Sequence, residues 1–534
     1  MGNAIGTSSY DAHLRRIKIY FSFLIVFLIL AFAAGSMFLK GAFGVMTVSG
    51  RSSALSVLYR AEYLLSSGGK NTAVAAEDNG ILVFVYHGIL DKPDGSNFNT
   101  TVADFKSQMF ALKSAGYNTI TLDALYKYLR GEVKLPPKSV ILTFDDGRFD
   151  SFYNGDPILR AVEFKAVMFV ITNFSADNET GSGSYYLTSQ YLKSMELSGR
   201  WDIEVHTQNG HSPFPIDALG NPGHFFSHKA WILKENRLET DEEFEDRVDT
   251  DFALGSSDLE QVLNKKPIGF AFPYGDFGQH DTNYAEAMKI VPEVGKKYYG
   301  LMFYQDMPSV RFHANYFTEA NRSQKSFLIK RIDTGPGWKG ADILASIERS
   351  LPKSLPYSDS FEKDNGWIKA WGSAKVQTET RELTLDSLPQ QLGAAAILDG
   401  TRLWKDYYLT AEVDVPYHNN VYVWVRFKDD NNNAACNFGS GFVHIEQTVN
   451  GEKRVIKGER GADIGLPSEI FTVGVKAEGR SIECLINDKS IVKSDFVSPA
   501  LEEGGIGIKT WDPAPGLGLL HVKNVMVEKL EPAD

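Results

Sequence analysis

The chain has 534 residues, too many for one compact core, so two or three domains are expected. Its 55 basic and 67 acidic residues give a net charge of −12, which excludes a nucleic-acid surface and suits a solvent-facing body outside the cell. Cys436 and Cys484 are the two cysteines. They form one disulfide or stay as two packed thiols, and without a cysteine cluster any metal must sit on His and carboxylate groups.

Residues 19–39 form an uncharged apolar run of 21, about 31 Å as a helix and long enough to span a bilayer. Arg15, Arg16 and Lys18 precede it. They direct residues 1–18 to the cytoplasm and everything after the span outside. Ala31-Phe32-Ala33 has the small-residue pattern of a signal-peptide cleavage site, so the alternative is a secreted product. The length of the run favours a membrane anchor. Residues 40–79 read as a juxtamembrane spacer with a helical piece near Leu55–Leu65.

From about residue 80 the pattern becomes strand, helix, strand, helix. Ile81–Tyr86 is an apolar strand; Thr101 with Asp104 marks a helix start, and Phe105, Met109 and Leu112 recur on one face. Asn118–Thr121 is a strand, Leu122–Leu129 a helix, Ser139–Phe144 a strand. Ala166–Ile171 and Asp202–Val205 follow as strands, then a polar insertion to about 240 and a charged helix over 241–263. Pro267–Phe272, Tyr298–Met302 and Leu328–Ile332 are the remaining strands, before a helix near 340–350. This alternation predicts an α/β domain over 80–352, most economically a distorted (β/α) barrel of seven or eight parallel strands.

The style changes after Leu351-Pro352. Short β runs at Tyr408–Val413, Val421–Phe427, Phe471–Ala477, Ile482–Ile486, Gly505–Lys509 and Leu520–Val527 are separated by Asn, Asp and Gly turns. Residues 358–534 therefore read as an all-β sandwich. It resembles the broad class of concanavalin-like sandwiches. Trp367, Trp371, Trp404, Trp424 and Trp511 are its candidates for stacking on sugars, with core packing the plainer role for most of them.

The candidate chemistry gathers at the C-terminal ends of barrel strands, where barrel enzymes build their sites. Thr143-Phe144-Asp145-Asp146-Gly147 ends one strand with two carboxylates. Successive strand residues point to opposite sides, so one acid is free to bind a cation while the other handles a proton. His206 and His211 bracket a loop containing Asn209-Gly210 and can converge on one ion with an Asp. Two His and one Asp leave coordination positions open, as catalytic zinc-type sites do. His87 ends another strand. Phe272-Pro273-Tyr274-Gly275 forms a tight loop able to aim a backbone N–H at an oxyanion, with Tyr274 lining the pocket.

The order Tyr86-His87-Gly88, Thr143–Gly147, His206 with His211, and Phe272–Gly275 resembles the polysaccharide deacetylase family, carbohydrate esterase family 4. The resemblance is strongest to its extracellular poly-N-acetylglucosamine deacetylases and covers about residues 80–335. It implies a barrel that removes acetyl groups from N-acetylated sugars. It further implies Asp145 as general base, Asp146, His206 and His211 as ligands of one divalent metal, and Phe272, Pro273 and Tyr274 at the substrate. Zinc is the first choice of metal, with cobalt, nickel or iron as alternatives.

Two departures stand out: Ala271 occupies a position where most of the family has Arg, and the family's late Leu-x-x-x-His has no match near 325–350. In the resembled branch the early histidine, here His87, fills the role of general acid. The expected partners are acetylated polysaccharide and, through the N-terminal helix, a membrane. Peptidoglycan, chitin-like or O-acetylated glycans are alternative substrates. A surface glycan-binding protein without activity is the alternative of a different class.

Overall fold

The computed structural model describes residues 44–66, 80–175, 185–307, 311–317, 327–417, 419–461 and 464–530. The apolar run 19–39 and its flanking tail lie outside these residues. Among the described residues no helix is long and apolar enough to cross a membrane.

The first domain is built on a sheet whose order is Gly80–Tyr86, Ser139–Phe144, Ala166–Ile171, Trp201–Thr207, Gly269–Ala271, Leu301–Tyr304 and Phe327–Lys330. All these neighbours pair in parallel. The last segment closes the ring. Phe327–Lys330 pairs with Leu301–Tyr304, and its continuation Ile332–Asp333 pairs in parallel with Phe84 and Val85 of the first strand. Arg331 sits at the break between the two pieces. Two short strands sit outside this ring: Asn118–Thr119 beside Ser139–Phe144, and Asn315–Tyr316 antiparallel to the first strand.

Side-chain alternation sorts each strand into an inner and an outer set. Ile81, Val83, Ile141, Val167, Phe169, Leu301 and Phe303 fill the inside of the barrel. Leu82, Phe84, Val140, Leu142, Met168, Val170, Ile203 and Val205 face the surrounding helices. On Trp201–Thr207 this parity leaves Asp202, Glu204 and His206 as the inward residues, all polar. Asp202 accepts from Leu122 N at 2.8 Å and Glu204 from Ile268 N and Gly269 N, both at 2.8 Å.

Helices form where the signals placed them. Thr101 caps Val102–Ser114 by accepting from Asp104 N, and Thr121 caps Leu122–Leu129 instead of extending the preceding strand. Asp241–Leu263 opens with a capping box between Thr240 and Glu243. The stretch expected as a spacer contains a helix over 44–66 docked on the barrel. Arg51 stacks 3.8 Å over the Tyr153 ring, Ser52 bonds Asp156, and Arg60 pairs with Glu163 at 2.7 Å. The polar insertion before 240 holds two small hairpins, Phe214–Pro215 with Pro222–Gly223 and Trp231–Ile232 with Arg237–Leu238.

The second domain packs an eight-stranded sheet on a seven-stranded sheet. Cys436, in the seven-stranded sheet, is disulfide-bonded to Cys484 in the other, so the bridge joins the two layers. Trp367 and Trp404 are structural. Both are buried, with indole N–H groups donating to Asp359 Oδ2 at 2.9 Å and to the Lys353 carbonyl at 2.6 Å. Arg311–Asp430 (2.6 Å) and His313–Asp399 (2.8 Å) join barrel to sandwich.

Candidate metal and catalytic site

Asp145 continues its strand by one residue, donating its N–H to the Tyr86 carbonyl at 3.0 Å. Alternation places its carboxylate inside the barrel. The chain then turns sharply: Asp146 has φ 70° and Gly147 φ 69°. A side chain on Gly147 would meet Val170 and Ser175 at about 3.0 Å, so only glycine fits. This turn separates the two acids.

Asp146, His206 and His211 converge, their ligand atoms all lying within 4.8 Å of one another. Asp146 Oδ1 is 3.6 Å from His206 Nε2 and 3.2 Å from His211 Nε2. The strand reaches Thr207, so His206 is an inward-facing strand residue, not the first loop residue that the sequence suggested. Its Nδ1 lies 2.7 Å from the Ala271 carbonyl. A carbonyl only accepts, so Nδ1 carries the proton and neutral His206 turns the Nε2 lone pair toward Asp146. Burial pushes the His206 imidazole down to about 4, keeping it neutral. Burial raises the Asp146 carboxyl, but the His211 contact overcomes this and holds it well below the usual range. Asp146 Oδ1 is buried with no hydrogen-bond partner. An orphaned carboxylate oxygen facing an imidazole lone pair is an arrangement that a divalent cation fits.

Asp145 is held by Arg331. Nη1 and Nη2 donate to Oδ1 and Oδ2 at 2.6 and 2.7 Å, and both side chains are fully buried. Burial raises the Asp145 carboxyl, yet the Arg331 charge brings it below the ordinary value. The guanidinium thus comes from the closing strand, while Ala271 stands where the resembled family carries Arg. His87 is partly buried, beside Phe98, and neighbours both Asp145 and Asp146.

The loop from His206 to His211 is organised by Asp251, buried on the Asp241–Leu263 helix. It accepts from Thr207 Oγ1 at 2.8 Å, Gln208 N at 3.1 Å and Asn209 N at 2.9 Å, while Gly210 N donates to Thr207 Oγ1 at 2.6 Å. Tyr274 closes the other side. Its backbone is left-handed at φ 60°, its hydroxyl donates to the His211 carbonyl at 2.7 Å, and its half-exposed ring stacks on His224. Pro273 is buried beside it. Phe272 points away from the cleft: it is fully buried and packs with Phe226, Phe270 and Phe277.

Arg331 and Asp251 escaped the reading from sequence. The signal for Arg331 was a cation set inside an apolar run; for Asp251 it was a carboxylate on the same helix face as Phe244, Val248 and Phe252.

Residues 132–292 match the family model described as polysaccharide deacetylase. A poly-beta-1,6-N-acetyl-D-glucosamine N-deacetylase of Escherichia coli (strain K12) is 27% identical over 209 residues, 37% of this chain and 31% of that protein. One from Staphylococcus epidermidis is 30% identical over 160 residues, 27% of this chain and 53% of that protein. The chain thus aligns with less than two thirds of either relative. Among solved structures, a de-N-acetylase from Aggregatibacter actinomycetemcomitans aligns with 47% of this chain and 94% of its own, with 22% identity and a TM-score of 0.39.

Proposed function

Because the chain carries a polysaccharide deacetylase domain, we propose that it is a metal-dependent hydrolase removing acetyl groups from N-acetylglucosamine-containing polysaccharide. The observation that carries this reading is the convergence of Asp146, His206 and His211 beside a second, ion-paired carboxylate, Asp145. The relatives' names supply the substrate class.

Asp146, His206 and His211 would hold a divalent cation, zinc by preference for this donor set. A divalent cation bound there would supply Lewis-acid polarisation of the acetamide carbonyl and a more acidic water. Asp145 receives the proton of the attacking water. Arg331 occupies one lone pair on each Asp145 oxygen, and a carboxylate oxygen has two, so an acceptor site remains. The Tyr274 peptide N–H donates to the oxyanion, and protonated His87 delivers a proton to the departing amine. The enzyme works outside the cytoplasm, tethered by residues 19–39. The Cys436–Cys484 disulfide supports an oxidising compartment.

The test is Asp145→Asn in the full chain, with metal content measured and free amines read by mass on N-acetylated oligosaccharides. The variant should retain metal and lose nearly all turnover. Activity at the wild-type level would overturn the assignment.

A further inference from the structure

Val421, Val423 and Val425 are fully buried in the sandwich core, so Tyr422 and Trp424 stand on the outer face of the seven-stranded sheet. Cross-strand register builds a row there. Trp371 pairs with Ala395, Ala395 with Lys509, Lys509 with Tyr422, Tyr422 with Asn437, and Asn437 with His444. Trp424 leads the next row, between Gly507 and Ala435. Small residues stand beside both tryptophans, Ala395 next to Trp371 and Gly507 and Ala435 next to Trp424, which makes room for the indoles to lie down on the sheet. A Cβ on Gly507 would come within 2.9 Å of Trp424 Cε3, and one on Gly393 within 3.1 Å of Trp371 Cη2. Each indole therefore lies against the sheet over a glycine, and both remain partly exposed.

Two polar groups sit between the rings. Lys509 Nζ lies 4.3 Å from the Tyr422 ring centre and 5.4 and 5.9 Å from those of Trp371 and Trp424. Asn437 is only 4% exposed. Its amide donates to Glu446 Oε1 at 2.8 Å, but its Oδ1 accepts from no group among the described residues. A buried acceptor left open beside partly exposed aromatic faces needs a donor from outside. Glu446 is already paired with Lys453 at 2.6 Å, so the uncompensated charge of the patch is that of Lys509.

We propose that this face is a second glycan site, which holds neutral, N-acetylated stretches of polysaccharide. The C–H faces of pyranose rings rest on Trp371 and Trp424, a sugar hydroxyl or amide N–H donates to Asn437 Oδ1, and sugar oxygens accept from Lys509. The Lys509 ammonium disfavours glucosaminyl ammonium groups, so stretches already deacetylated are released. That preference rests on the deacetylase reading; the platform itself does not.

The experiment uses the full chain, with a chelator present so that the polymer is not altered. A soluble N-acetylglucosamine polymer and the same polymer chemically deacetylated are the two probes. Wild type should bind the acetylated polymer about tenfold more tightly. Replacing Trp371 and Trp424 together by Ala should weaken binding of the acetylated polymer about tenfold, with turnover of a short N-acetylated trimer unchanged in the metal-loaded protein. Lys509→Gln, which leaves both indoles in place, should narrow the difference between the two polymers. Unchanged polymer affinity in the Trp double variant, or an unchanged preference in Lys509→Gln, would overturn the proposal. Tryptophan-dependent retention by a protein that never deacetylates the trimer would remove the deacetylase reading and leave the platform standing.

Discussion

Arg331 grips both carboxylate oxygens of Asp145 from the one residue that separates the two pieces of the closing strand. Removing the guanidinium leaves a buried carboxylate without its partner. Arg331→Met should cost about 3 kcal/mol of stability, read as a lowered denaturant midpoint. In whatever folds, the Asp145 carboxyl rises, so the acidic limb of the pH–rate profile should move to higher pH. A profile superimposable on wild type would show that the pair is purely structural.

Asp251 contacts none of the three cluster residues, yet it fixes the turn between His206 and His211. Asp251→Ala should weaken zinc binding roughly 10- to 100-fold in a chelator competition, the range seen when groups supporting ligands are lost. The barrel should otherwise stay folded by far-ultraviolet dichroism.

The disulfide closes a loop of sequence separation 48 between the two sheets. Chain-entropy reasoning gives it about 4 kcal/mol. Denaturant unfolding of the sandwich with and without reductant should show a loss of that order, with the barrel transition little moved.

Lys353 lies at the domain junction, its ammonium donating to the Arg349 carbonyl at 2.7 Å. Burial pushes it down to about 8, against the pull of Asp399 and Asp359. The folded state therefore binds fewer protons than the unfolded chain between about pH 8 and the ordinary lysine value. Stability should rise with pH across that window. Lys353→Met should flatten this slope in denaturant titrations.

Much of this architecture is legible in the sequence. The strands delivering Asp145 and His87 carry β-branched runs with clear ends, but the two acids part company through the left-handed turn at Asp146-Gly147 and not through the strand alternation that the sequence suggested. The sandwich runs all fall within observed strands. What stayed hidden depends on tertiary partners. Lys330-Arg331 interrupts an apolar stretch, and sequence pattern cannot say that the cation meets a carboxylate 186 residues away. Phe272 sits beside the loop proline and reads as a pocket residue, but strand parity turns it toward the helices. Residues 44–66 are too polar on one side to look like core, and become a docked helix through Arg51, Ser52 and Arg60.

The ring closure bears on how the protein is to be cut for study. The matched stretch 132–292 contains neither Gly80–Tyr86 nor the segment from Phe327 to Asp333. A fragment trimmed to those bounds is an open sheet with two raw edges, prone to pair with other copies, and it strands Asp145 without its counter-ion. Expression from residue 44 through residue 350 keeps the hoop shut and retains the docked N-terminal helix and the Gly340–Ser350 helix.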